Sequence, residues 1–254
     1  MRRYIYFVFL LCCAVNLLLT SCVRQKYVVM DMVHHNPGEA MTESKFLDPS
    51  FLKKNEYGAK VFFLFEAAQF GIAWKSFDPS LFPDTTEAGR WVAEKAEIIH
   101  KKYDAAKKED LQVYCMLDML VLPSLLVEKH RTELTNEQGK LDISKPYTQL
   151  CIRELMKEMF ETFPQLDGLV IRTGETYLHD APYYVGNHPV QNGMYDHITL
   201  INLLREEVCE RRNKKLFYRT WDMGQLHSIP KYYLSVTDSI EPHPCLLYTS
   251  PSPR

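Results

Sequence analysis

One pattern recurs along the chain: a short run of β-branched, aromatic and aliphatic residues, then a segment whose apolar positions return every three or four residues. The runs Tyr27–Val33, Lys60–Phe65, Gln112–Leu117, Gly168–Thr173 and Leu216–Thr220 read as strands. The segments between them read as helices. Asp48-Pro49 supplies a capping carboxylate followed by a proline at the first helical position, and starts a short helix towards Gly58. From Thr86 to Lys107, Val92, Ala96, Ile99 and Tyr103 form an apolar stripe opposite a charged face. From Tyr147 to Phe163 the stripe is Cys151, Leu155, Met159 and Phe163, and Pro164 stops the helix. From Met194 to Asn213 it is Ile198, Ile201, Leu204 and Val208.

Strands alternating with helices imply a parallel α/β sheet with right-handed crossovers, and apolar strands imply that both faces are covered. A doubly wound sheet and a barrel both satisfy that pattern. No glycine-rich phosphate loop follows the first strand, where a dinucleotide-binding sheet carries one. Polar residues stand there instead: His34, Asn36 and Glu39. Every later strand also ends in polar or aromatic groups: Glu66, then Asp118, then Arg172 and Glu175, then Trp221 and Asp222. A (β/α)8 barrel lines one mouth with the C-terminal ends of its strands. The expectation is therefore a partial (β/α)8 TIM barrel comprising its first five βα units.

The two ends change what counts as domain. Arg2 and Arg3 precede an apolar run from Tyr4 to Leu19, followed by Thr20, Ser21 and Cys22. That order is the pattern of a lipoprotein signal peptide over residues 1–22, with Cys22 the lipidated residue. It places the rest of the chain outside the cytoplasm, periplasmic or on the outer membrane, with the membrane as partner through that lipid. At the other end, a transposon end joined to sequencing adapter, read as codons, encodes Cys245–Arg254, so residues 245–254 read as an adapter-derived tail. Residues 23–244 are then the N-terminal part of the barrel domain.

Without both ends the chain loses Arg2, Arg3 and Arg254 and no acidic residue, so its formal charge moves from −2 to −5. Such a balance argues against nucleic acid as a partner. Of seven cysteines, Cys115, Cys151 and Cys209 remain in the domain. Their odd number and wide spacing make them buried small hydrophobes rather than a disulfide framework.

The most specific stretch runs Leu166-Asp167-Gly168-Leu169-Val170-Ile171-Arg172-Thr173-Gly174-Glu175-Thr176-Tyr177. It resembles secreted lipoproteins of the Bacteroidetes type with a glycoside-hydrolase-like barrel, in the neighbourhood of α-glucuronidase-like enzymes. That resemblance implies a carbohydrate-active protein and gives Glu175 the acid/base position after the fourth strand. Gly174 stands where such enzymes usually carry Asn.

Glycosidic hydrolysis needs one carboxylic acid to protonate the leaving oxygen and a second carboxylate across the sugar. The two lie about 5–5.5 Å apart in retaining enzymes and about 6.5–9.5 Å apart in inverting ones. Glu175 is the candidate acid; Asp118, Asp222 and Glu66 are candidate second carboxylates or hydroxyl-binding groups, and a nucleophile placed after the seventh strand lies beyond Pro244. Sugar rings offer an apolar face to aromatic side chains and hydroxyls to polar ones. The substrate-binding candidates are therefore His34, Asn36, Glu39, Glu66, Arg172, Tyr177, Asn187, His188 and Trp221. Tyr183 and Tyr184 read equally as sugar platforms or as loop packing. Arg172 and Arg219 read as a carboxylate clamp or as members of internal ion pairs.

The expected partner is an oligo- or polysaccharide, and no organic cofactor is implied. Two rival readings remain. A metal-dependent hydrolase would draw on His34, His35, Asp118, His179 or His188, although no ligand spacing of a known type is present. A non-catalytic glycan-binding lipoprotein would keep the barrel without its chemistry.

Overall fold

The computed structural model describes residues 28–31, 44–63, 66–178, 180–221 and 224–249. Six parallel strands form one sheet: β1 (Met30–Asp31), β2 (Ala59–Phe62), β3 (Gln112–Asp118), β5 (Gly168–Arg172), β7 (Lys215–Arg219) and β8 (Leu246–Thr249). A separate antiparallel ribbon pairs β4 (Val121–Pro123) with β6 (Tyr184–Gly186). The crossovers carry α1 (Pro49–Lys54), α2 (Glu87–Lys108), α3 (Ser124–Lys129), α4 (Arg131–Leu134), α5 (Pro146–Thr162), α6 (Met194–Leu204) and α7 (Pro230–Thr237).

The expected helices begin where their caps stand. Asp48 accepts the Ser50 amide at 2.9 Å and Thr86 accepts the Gly89 amide at 3.0 Å, each satisfying a first-turn donor that has no partner within its helix. In α2, Glu87 lies in the first turn and Lys107 and Lys108 in the last, which suits the helix dipole. The stripe of α5 is buried as its spacing requires: Cys151, Leu155 and Met159, with Phe163 at its end, are all in the core. The helix expected from Met194 to Asn213 is α-helical only to Leu204 and continues as a wider π-type turn over Arg205–Glu210.

Sheet order separates the two architectures left open by the sequence. Each strand of the six-stranded sheet pairs with the next one in the chain, in the order β1-β2-β3-β5-β7-β8, and the order never reverses. A doubly wound sheet reverses at its switch point. The two faces agree. One face, with Val113, Cys115, Leu117, Leu169, Ile171 and Leu216, packs against helical residues such as Val92, Ile99, Tyr103 and Leu204. The other carries Ala59, Val61, Phe63, Tyr114, Met116 and Val170, joined by Met30, Tyr177 and Phe217, and among the described residues no helical residue enters that cluster. Strand side chains packing on one another fill the inside of a barrel. The fold is a partial (β/α)8 barrel of five strand–helix units followed by β8.

Register stacks the inward-facing side chains in rows. Met116, Val170, Phe217 and Leu247 share one row across β3, β5, β7 and β8. Two residues further towards the C-terminal ends, Asp118 pairs with Arg172 and Arg219 with Thr249. Leu246–Thr249, assigned on their codons to a tail outside the domain, occupy the edge of the sheet beside β7. An extended apolar segment is what an open strand edge accepts, because it supplies the missing ladder of backbone partners. Cys115, Cys151 and Cys209 are buried free thiols. Among the described residues no helix is long and apolar enough to cross a membrane.

Candidate functional site

The C-terminal ends of β3, β5 and β7 converge on one cluster. Arg172 meets Asp118 edge to edge, with Nε donating to Oδ1 at 2.5 Å and Nη2 to Oδ2 at 2.6 Å. Both side chains are buried. The guanidinium lies over two aromatic rings, Phe63 at 4.7 Å and Tyr177 at 4.4 Å from the ring centroids. Its remaining edge approaches Glu175, Nη1 to Oε2 at 3.4 Å. The Tyr177 backbone amide donates to Asp118 Oδ2 at 2.9 Å.

Glu175 itself reaches solvent, its side chain 38% exposed. Interaction with the nearby Glu175 carboxylate, with burial, pushes the Tyr177 phenol above its ordinary range while the charge of Arg172 opposes the shift. Arg219 is the next side chain along the row from Arg172. Its Nη1 lies 3.6 Å from the Met116 sulfur. Burial and the neighbouring Arg172 charge lower its pKa, with Asp118 and Glu175 pulling the other way. Trp221 follows β7, is 40% exposed, and rests on the His227 ring at 4.4 Å between centroids.

The remaining expected residues separate from this cluster. Glu66 is drawn to the helix layer, where its carboxylate pairs with Lys102 of α2 and its backbone oxygen accepts the Tyr103 phenol at 2.9 Å. It lines a cavity there with Lys60 and Phe62, on the opposite face of β2 from Val61 and Phe63. Asn187 is used internally: Oδ1 accepts the Leu141 amide at 2.8 Å, and Nδ2 donates to Leu141 O at 3.1 Å and His188 O at 2.9 Å. His188 accepts the Val190 amide on Nδ1 at 3.0 Å. Tyr184 is buried against Phe70 and Phe82, and Tyr183 stands edge-on to Trp91. For Tyr184, loop packing is the reading realised, while Tyr183 is only half-buried.

Arg172 is likewise committed to Asp118, so the pairing of Arg172 with Arg219 as a free clamp is not realised. Cys22, His34, Asn36, Glu39 and Asp222 lie outside the described residues, as do His35 and His179. Among the described residues no three His, Cys, Asp or Glu side chains gather in a way that holds a metal ion. Phe63 was not singled out by sequence, yet it forms part of the cluster. The alternation Ala59, Val61, Phe63 along β2 was the signal that placed it inside.

No protein-family model matches the chain, and no curated protein does. Among solved structures the chain is similar to CpGH84B, with a TM-score of 0.46 and 8% identity over 84% of this chain and 32% of that one. It is similar to the maltogenic alpha-amylase AmyB from Thermotoga neapolitana, with a TM-score of 0.44 and 12% identity over 81% and 47% of the two chains. It is similar also to PbGH5A, a glycoside hydrolase family 5 enzyme from Prevotella bryantii B14, with a TM-score of 0.43 and 11% identity over 83% and 55%. The chain thus spans less than two thirds of the length of each of these proteins.

Proposed function

We propose that this chain belongs to a lipid-anchored glycoside hydrolase acting on complex glycans outside the cytoplasm. The observation that carries the reading is Glu175: a carboxylate at the C-terminal mouth of a barrel, reaching solvent and braced by Arg172. In that role Glu175 exchanges a proton with the glycosidic oxygen, and Trp221 offers an exposed aromatic face for a sugar ring. The second carboxylate is Asp222 or a group beyond residue 244. Lipid on Cys22 holds the domain at the membrane.

The test is hydrolysis of an oligosaccharide panel by the protein encoded in the complete genomic reading frame, read as new reducing ends. Glu175→Gln is expected to lower turnover by about 10²- to 10⁴-fold, the usual contribution of a positioned acid or base. Unchanged hydrolysis sinks the assignment. Incorporation of labelled fatty acid, abolished in Cys22→Ser, tests the anchor.

One observation favours a second reading, a glycan-binding lipoprotein without catalysis. Of the carboxylates expected at the mouth, Asp118 is committed to Arg172 and Glu66 to Lys102, which leaves Glu175 alone among the described residues. Glycan affinity in the complete protein, with no reducing ends released, is the outcome that selects this reading.

A further inference from the structure

Asp118 has the position of a reacting group, a carboxylate at the end of a barrel strand, but its surroundings leave it none of the freedom that such a group needs. Oδ1 accepts Arg172 Nε, and Oδ2 accepts both Arg172 Nη2 and the Tyr177 amide. The two residues that it holds, Arg172 and Tyr177, bound a single short segment. One carboxylate on β3 therefore fastens both ends of the turn Thr173-Gly174-Glu175-Thr176, and Glu175 lies inside it. Arg172 is in turn packed over the Phe63 and Tyr177 rings. For Asp118 to attack or to accept a proton it would have to release the turn and strand a buried guanidinium.

We infer that Asp118 and Arg172 are positioning residues that clamp the 172–177 turn and so present Glu175 to substrate. The clamp itself is independent of any reaction. Only the presentation of Glu175 to substrate rests on the glycoside-hydrolase reading. The raised titration of Tyr177 agrees with this placement, since its largest cause is Glu175, which lies in the same turn.

The experiment incorporates 3-fluorotyrosine into the whole chain and follows Tyr177 by fluorine NMR, its resonance identified by disappearance in Tyr177→Phe. In the wild-type chain Tyr177 titrates above the free amino acid. Asp118→Asn and Arg172→Lys are each expected to move the resonance and to bring the titration back towards the free value, with near-ultraviolet circular dichroism reporting a retained fold. Loss of the Asp118 charge by itself lowers the Tyr177 titration, so Arg172→Lys is the deciding variant: lysine keeps the charge of Arg172 but not its bidentate grip. If both variants leave the Tyr177 resonance and titration where they were, the clamp is refuted. If Asp118→Asn does not fold, Arg172→Lys decides alone.

Where the complete protein hydrolyses a glycan, Asp118→Asn is expected to lower kcat by about 100-fold, the scale of a misplaced reacting group, with KM nearly unchanged and both limbs of the pH profile kept. Loss of a limb makes Asp118 a reacting group and overturns the inference. If no glycan is cleaved by the wild-type protein, the hydrolase reading fails while the NMR measurement still decides the clamp.

Discussion

Arg172 reaches across from β5 to hold both carboxylate oxygens of Asp118 of β3 with one edge of its guanidinium, and the two side chains are only 7% and 4% exposed. An ion pair this deep loses far more when one partner is removed than when both are, because the survivor is left charged and dry. Asp118→Ala is therefore expected to destabilise the domain by about 3–5 kcal/mol. Asp118→Leu combined with Arg172→Met should cost much less than the sum of the single changes. Urea unfolding of the four proteins measures both quantities, and additive losses would contradict the pairing.

Close approach of backbones gives a second prediction. A Cβ built on Gly168 would lie 2.1 Å from the Lys215 carbonyl oxygen, so β5 and β7 meet at a distance that only glycine allows. Gly168→Ala must push the strands apart at the start of β5. The expected cost is about 1–3 kcal/mol, typical of forcing an added carbon into a packed site. A stability within error of wild type would show that the strand pair yields freely.

The three cysteines of the domain make a prediction about alkaline pH. Burial raises Cys115 from an ordinary 9.0 to about 11, and Cys151 and Cys209 to about 12. The native state therefore keeps its thiol protons after the unfolded chain has begun to lose them. Their contribution is complete below pH 9 and declines as pH rises towards the folded values, because the unfolded state then binds fewer protons. Chemical denaturation across that range should show falling stability, and replacing all three residues by alanine should flatten part of the slope. An unchanged slope in the triple variant would remove thiols from the explanation.

Much of the scaffold was readable from local pattern. The stripes of α2 and α5 follow the 3.6-residue period, Thr86 and Asp48 mark helix starts, and the barrel strands are short apolar runs. What could not be read was set by partners distant in sequence. Arg172 has Glu175 three residues away, and local spacing offers that pair. The sheet register instead places Asp118, 54 residues back in the chain, directly opposite Arg172. The β4–β6 ribbon escaped for the same reason. Val121-Leu122-Pro123 is too short to show a period and becomes a strand only because Tyr184–Gly186 lies beside it. At the end of α6, the charges of Arg153, Glu206, Glu207 and Arg211 interlock where the helix widens, a tertiary arrangement that an apolar stripe does not encode.

Asn187 shows how a residue with sugar-binding chemistry becomes committed elsewhere. Its amide matches the Leu141 backbone as another peptide group would, accepting from N and donating to O, and Nδ2 also donates to His188 O. These bonds tie the loop after β6 to the segment between α4 and α5. Asn187→Ala leaves the Leu141 amide and carbonyl without partners, a loss of about 1–3 kcal/mol for a buried unsatisfied group. The loss should be local: faster hydrogen exchange at Leu141 and its neighbours, while the core strands β3 and β5 keep their protection. Mass-resolved exchange of peptides covering residues 134–143 measures this. If Asn187 instead serves a glycan, exchange at Leu141 stays at the wild-type rate and the variant loses only glycan affinity, so the two roles separate in one pair of measurements.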